Sequence, residues 1–400
     1  MQNIIIAKPY RFVPPCFSPF LARLIQWYLP THVRKSFGIT SMEYVGEERL
    51  VSSLKDGAGV LLAANHCRPS DPMVLALLGR KVRRPFHVMA SWHLFMQNRL
   101  QSFLLPRMGA FSVYREGLDR ESLKCATRIL AEAKFPLCIF PEGFITRNND
   151  RVFNLMEGVA FLARAAAKQR AASTPPGKVV VHPVFIRYFF EGDVAEAITP
   201  VLLEIEARLS WQPQTHLSLR ERIIKAGQAL LALKEMEYLG TTQSGSANER
   251  LSRLRDRLLE PLEQEWTGGK KEPDAITRIK RLRSAIIPEI IQGDLAETEL
   301  ARRWRHLAEL YLAQQLHCYS GDYLTGEPSP ERLLETVERY EEDLTDCARA
   351  HPPIHAVISV GKAIEAAPTR DRSAEGDPIA NELRHQLETM LEESKTRRRK

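Results

Sequence analysis

Between residues 59 and 186 the chain alternates short apolar runs with stretches of helical spacing, and few folds accept that alternation. The runs at 59–64, 86–90, 110–114, 136–140 and 179–186 have strand length and are too short for core helices. Helical spacing occupies 71–79, 120–134 and 157–168, and 92–103 reads as a helix or an irregular segment. Strands this uniformly apolar need cover on both faces, which predicts a layered α/β domain. In such sheets ligands gather at strand ends.

The texture changes from about residue 204. Helical spacing then runs through 217–239, 249–259, 275–287, 297–315 and 330–346, with stripes such as Leu251, Leu254 and Leu258. The polar loops 241–246 and 268–271 separate them, and no regular repeat is evident. At 355–361 a strand-like run returns, followed by a helix over 378–392. The expected organisation is therefore an N-terminal amphipathic segment over 1–40, an α/β core over 41–203, a helical insertion over 204–350, and a return strand and last helix over 351–400.

Composition removes several function classes. Six cysteines lie scattered without a CxxC pair, which points away from a disulfide framework or zinc site and towards a reducing compartment. The apolar start is soon interrupted by Lys8 and Pro9, too early for a signal peptide. No run reaches the eighteen or so apolar residues of a membrane-spanning helix. A formal charge of +7 fits nucleic acid, anionic lipid or phosphorylated substrates and does not choose among them. The long charged helices read as a packed bundle, so no nucleic-acid partner is expected. Residues 20, 21, 24, 25, 28 and 29 form one apolar helical stripe, with Arg34 and Lys35 just beyond. It fits either a membrane surface or a core-facing helix.

Four clusters carry possible chemistry. After the 59–64 run come Asn65, His66, Cys67, Arg68, Pro69, Ser70 and Asp71. An imidazole within reach of a carboxylate is a candidate base, but a five-residue spacing shares no helical face, so the chain must turn between them. Pro69 and Ser70 supply that turn. A His in a turn and an Asp at a helix start is the plainer alternative for this pair alone. Gly109 and Arg115 bracket the 110–114 run, and a guanidinium fork there suits a phosphate, or else a surface pair with Glu116 or Asp119. Phe140, Pro141, Glu142 and Gly143 place a carboxylate and a flexible residue at another strand end, with Arg147 four positions on. Pro183, in or beside a strand, argues for a sheet edge or a bulge bordering a cleft.

The order of these clusters resembles the glycerophospholipid acyltransferase family, the bacterial lysophosphatidic-acid acyltransferases and their relatives. The family's NHxxxxD block is matched by Asn65, His66 and Asp71; GxxxxxR by Gly109, Phe111, Val113 and Arg115; FPEG by Phe140 to Gly143. Its branched-residue-then-Pro block is matched by Val181, Pro183 and Val184. Gly361 and Ile364 look like the strand that closes these domains. The resemblance covers roughly 40–200 and 355–392. One departure follows Gly143, where Phe144, Ile145, Thr146 and Arg147 replace Thr-Arg-Ser and the Arg stands two positions late.

The resemblance implies an α/β fold of the glycerol-3-phosphate/lysophosphatidic-acid acyltransferase type, a layered sheet with flanking helices, here with a large all-helical insertion. It implies a fatty acyl group moving from acyl-CoA or acyl-ACP to the hydroxyl of 1-acyl-sn-glycerol 3-phosphate or a similar lysophospholipid. His66 would be the general base and Asp71 its partner. Arg115 would hold the acceptor phosphate, with Glu142 and Gly143 shaping the glycerol site, Arg147 assisting, and Asn65, Gly109 and Pro183 completing the binding set. No cofactor or metal is expected beyond the thioester co-substrate, and the enzyme would sit peripherally on the inner face of the membrane, in the cytoplasm. Cys67 is read as packing, because the chemistry implied is direct transfer. Alternatives are another acceptor, such as glycerol 3-phosphate or a non-phosphorylated alcohol; a hydrolase, against which stands the lack of a G-x-S-x-G elbow; and an inactive, acyltransferase-like binding protein.

Overall fold

The computed structural model describes residues 8–369 and 376–397. Two compact units divide the chain: a sheet unit of residues 11–114, 119–192 and 350 onward, and a helical unit of 115–118 and 193–349. The tail at 398–400 and the apolar start at 1–7 lie outside the described residues.

The sheet unit opens with α1 (Pro19–Phe37), capped by the Ser18 hydroxyl and ended by Gly38 in the left-handed region. Pro30 lies inside this helix. Proline deprives the Gln26 carbonyl of its helical donor, and Arg80 Nη1 supplies one instead at 3.3 Å. Next come β1 (Ile39–Val45), α2 (Glu47–Lys55), β2 (Gly59–Ala64), α3 (Asp71–Lys81) and β3 (His87–Ser91). A 3-10 turn at Trp92–Met96 leads to α4 (Arg99–Arg107), then β4 (Ala110–Val113), α5 (Arg120–Glu132), β5 (Leu137–Ile139), α6 (Gly158–Ala171) and β6 (Val179–Phe190). β7 (Ile354–Val360), β8 (Ile364–Glu365) and α13 (Pro378–Arg397) complete it.

The strand order is β1-β7-β6-β2-β5-β3-β4, with β8 also on β6. β2 pairs in parallel with both β5 and β6 and is buried along its whole length. Its side chains alternate between two cores. Leu61 and Ala63 face the side that carries α5, α6 and α13, whereas Val60, Leu62 and Ala64 face α1 and α3. Gly59 begins the strand because a Cβ there would come within 2.2 Å of the Leu130 carbonyl oxygen. β7 runs parallel to β1 and antiparallel to β6, so the late strand sits inside the sheet. At the other end, β4 is covered by the N-terminal segment, where Val13 exchanges hydrogen bonds with Ser112 at 2.8 and 3.0 Å.

Pro183 departs from the expectation of an edge or bulge. It lies mid-way along the twelve-residue β6, with β2 on one side. On the other side β8 pairs at 180–181 and β7 pairs from 184 onward. Pro183 occupies the changeover, its carbonyl accepting from Gly361 N at 2.7 Å. A residue without an N–H fits there because the next ladder partner begins one residue later.

The helical unit comprises α7 (Val194–Arg208), α8 (Leu219–Leu239), α9 (Ala247–Thr267), α10 (Ala275–Gln292), α11 (Glu297–Cys318) and α12 (Pro330–Thr345). α7 starts ten residues before the expected change of texture. A leucine- and isoleucine-rich core joins α8 to α11. Contrary to the sequence reading, one contact repeats. A buried Glu late in one helix takes a two-pronged grip from an Arg in the first turns of the next: Glu206 with Arg222, Glu235 with Arg250, Glu263 with Arg278. A fourth pair, Glu289 with Arg303, links α10 to α11. The three gripping arginines stand twenty-eight residues apart (222, 250 and 278), each four positions after the N-cap Ser218, Ser246 or Asp274. Planar guanidinium forks suit this bidentate grip.

Candidate active site

The site is built where β2 ends. β2 leads straight into residues 65–71, and the turn predicted at Pro69 and Ser70 brings His66 back to Asp71 at the start of α3. His66 Nδ1 lies 2.8 Å from Asp71 Oδ2. Asp71 is wholly buried, while the His66 side chain keeps a small exposed surface. The same Oδ2 accepts from Arg68 N at 2.9 Å, which closes the turn. Oδ1 accepts from the Tyr188 hydroxyl at 2.6 Å. The imidazole lies nearly flat on Phe140, centroids 4.0 Å apart. Since Nδ1 faces Asp71, Nε2 is the nitrogen available to a substrate.

Each flanking residue fixes the backbone of this turn. The Asn65 carboxamide acts as an added strand residue: Oδ1 accepts from Ile186 N at 2.7 Å and Nδ2 donates to Ile186 O at 3.0 Å. Thus β6 is still paired one step beyond the end of β2. Glu142 is buried, its Oε2 accepting from His66 N at 2.6 Å and Oε1 from Phe153 N at 2.9 Å. Burial pushes its carboxyl up from the usual value of 4.5, and the two backbone N–H groups oppose that shift. Thr146 N and Oγ1 both donate to the His66 carbonyl, at 2.8 and 3.1 Å. His66 is therefore held at its N–H, its carbonyl and its ring.

Other predicted residues lie as follows. Gly143 has φ +77°, and a Cβ there would approach Met156 Cε to 2.7 Å. Arg147 also adopts positive φ, at +57°, in the same loop. Gly109, at φ +96°, turns the chain from α4 into β4, and its carbonyl accepts from Val88 N. Arg115 belongs to the short segment grouped with the helical unit. Desolvation, with the nearby Arg283 charge, lowers its pKa to about 10, and Glu116 partly offsets this. His66 thus contacts both Asp71 and Glu142 directly, Asn65 anchors the start of the same turn to β6, Pro183 lies within that strand, and Arg115 is grouped elsewhere. Among the described residues no cluster of His, Cys, Asp or Glu could hold a metal ion.

Sequence reasoning missed Tyr188, Ser70, Thr146 and Asn149. Ser70 Oγ lies 3.1 Å from the Tyr188 hydroxyl. Asn149 repeats the Asn65 device two residues further along β6, its Oδ1 accepting from Tyr188 N and its Nδ2 donating to Tyr188 O. Arg187 between them is buried in an ion pair with Asp150. The only available signal was that aromatic residues resume after Arg187, at Tyr188, Phe189 and Phe190.

Comparison with known proteins agrees with this geometry. No curated protein matches the chain. Residues 41–187 match the family model described as Acyltransferase. That stretch contains the His66–Asp71 turn, the Glu142 loop and nearly all the strands that position them. Over residues 41–187, which hold this site, the chain is similar to the acyltransferase family.

Proposed function

We propose that the chain transfers a fatty acyl group from acyl-CoA or acyl-ACP to the free hydroxyl of 1-acyl-sn-glycerol 3-phosphate or a similar lysophospholipid. The observation that carries this reading is the 2.8 Å contact between His66 Nδ1 and the buried Asp71, in a stretch similar to the acyltransferase family. His66 Nε2 takes the hydroxyl proton as the oxygen attacks the thioester carbonyl. Asp71 holds the tautomer and stabilises the imidazolium. As the tetrahedral intermediate collapses, the C–S bond breaks and the thiolate leaves with the proton that His66 returns. Arg115 takes the acceptor phosphate, and Gly143 and Arg147 border the acceptor site. The Glu142 contacts favour a bracing role over direct contact with the glycerol.

Peripheral membrane attachment belongs to the same reading, since an acyl chain should not cross water to reach His66. In α1 the predicted stripe divides: Leu29 is buried, while Phe20 and Trp27 are 78% and 74% exposed and Leu24 and Tyr28 are more than half exposed. Leu100 and Phe103 of α4 are exposed too, and the two helices meet where Ser18 N donates to Arg107 O. An anionic inner leaflet suits the net charge of +7. Among the described residues no helix is long and apolar enough to cross a membrane.

The test is a screen of acceptors against labelled acyl-CoA and acyl-ACP, with His66→Ala as control. Transfer to lysophosphatidic acid that disappears in the control is expected; transfer only to non-phosphorylated alcohols would remove the role of Arg115. Flotation on anionic vesicles should weaken when Phe20, Leu24 and Trp27 are made polar, and equal binding would exclude this face as the anchor.

A further inference from the structure

Asp71 has two oxygens, and the reaction needs only one of them for His66. The other is held by a side chain from the far end of β6. Tyr188 is 1% exposed, and its hydroxyl donates to Asp71 Oδ1 at 2.6 Å, within the range of strong charge-assisted bonds. Nothing in the residue order from 65 to 71 announces this partner, and Tyr188 lies one position beyond the family match. Its placement is over-determined. Asn149 takes both backbone groups of Tyr188, Ser70 Oγ meets its hydroxyl at 3.1 Å, and the Arg68 guanidinium lies 5.4 Å above its ring. Tyr188 is therefore held at its backbone, its hydroxyl and its ring.

We infer that Tyr188 is a positioning residue for acyl transfer, fixing the Asp71 carboxylate and sharing its charge so that His66 keeps both its orientation and its proton affinity, with Ser70 directing the phenol's hydrogen. This rests on His66 acting as the base. A carboxylate bonded on both oxygens cannot rotate away from the imidazole, and a phenol donor on Oδ1 draws charge from Oδ2. Burial and the Asp71 charge raise the Tyr188 pKa well above 10, so the phenol remains a donor across the working pH range. Other titratable groups around the pair are Cys67 and Cys138 from the strand ends and Glu142 from the loop after β5. With the phenol gone, more negative charge falls on Oδ2, the imidazolium is better stabilised, and a higher pH is needed to free the base.

The experiment is a comparison of Tyr188→Phe, Ser70→Ala and the double variant with the intact protein, measuring kcat and acceptor KM across pH. Tyr188→Phe keeps the ring, its packing and the Asn149 contacts. It should lower kcat roughly tenfold (about 1.4 kcal/mol), leave acceptor KM within about twofold, and move the acid limb of kcat/KM upward. Ser70→Ala should move it in the same direction by less, and the double variant should match Tyr188→Phe, since Ser70 acts through the phenol. A purely structural role would lower the melting temperature without moving the limb. If Tyr188→Phe fails to fold, the Ser70→Ala limb decides. Unchanged kcat and an unmoved limb, with His66→Ala inactive, would overturn the role of Tyr188 alone; an active His66→Ala protein would overturn the base and this inference with it.

Discussion

Glu142 Oε2 accepts the backbone N–H of His66 at 2.6 Å, although the two residues lie on different strand ends. Through this bond the loop after β5 braces the turn that carries His66. Glu142→Gln keeps the shape and one accepting oxygen, but replaces the other oxygen with an NH2 group that cannot receive an N–H. The expected result is a fall in kcat of about ten- to a hundredfold, as a buried donor left unmade costs about 1–3 kcal/mol. Acceptor KM should change little. A large rise in KM with kcat intact would instead mean that Glu142 touches the glycerol directly.

Asn65 has an equally specific task, completing the ladder with Ile186 at 2.7 and 3.0 Å. Asn65→Ala strands a buried N–H and a buried carbonyl, each worth about 1–3 kcal/mol. Chemical denaturation should show a lower midpoint, and the acyl-transfer rate should fall with it. Asn65→Asp offers an acceptor but no donor, and should fall between the two.

Acid should weaken the sheet unit through His182. This imidazole is buried, with Nε2 2.9 Å from Ser53 Oγ and Nδ1 3.0 Å from Gly361 O. Burial holds its pKa below the ordinary 6.5 despite the carbonyl. Below pH 6.5 the unfolded chain then binds a proton that the folded chain refuses, so stability is present above 6.5 and is lost as pH falls from 6.5 towards the folded value. Melting temperature against pH should decline in that window, and His182→Gln should flatten the decline. An identical slope in the variant would assign the acid sensitivity elsewhere, His87 being the other sheet-unit imidazole lowered by burial.

In the helical unit the repeated Glu–Arg grip predicts an asymmetry. Glu235 is buried and accepts from Arg250 at 2.8 and 2.7 Å. The Arg250 bond, the largest influence, pulls the Glu235 carboxyl below 4.5. Removing one partner, as in Glu235→Ala, should destabilise by about 3–5 kcal/mol by leaving an uncompensated charge, whereas an apolar pair replacing both should cost far less. Equal costs for the single and paired replacements, read by denaturation, would contradict this.

The legibility of the fold follows where each element finds its partner. β2 and β5 announce themselves because burial on both faces leaves an uninterrupted apolar run. β1 does not: Thr40, Ser41 and Glu43 face outward or sit at the rim, and its partner β7 lies some three hundred residues away. Pro183 misled because proline usually marks an edge, whereas here the carbonyl-only residue fills a gap between two partner strands. The site divides in the same way. His66 and Asp71 are close in sequence and were legible. Tyr188 meets Asp71 from 117 positions away. The repeat of the helical unit was hidden because it is carried by single Glu and Arg residues amid many other charges.

The most direct measurement is the single-turnover rate of acyl transfer by His66→Ala protein that melts like the intact chain, with lysophosphatidic acid and an acyl thioester as substrates. General-base catalysis is worth about a hundred- to ten-thousand-fold, so the rate should fall by that amount while the Kd for the acceptor stays nearly constant. Transfer at the intact rate by the folded variant would contradict the assignment of His66 and, with it, the function proposed for this site.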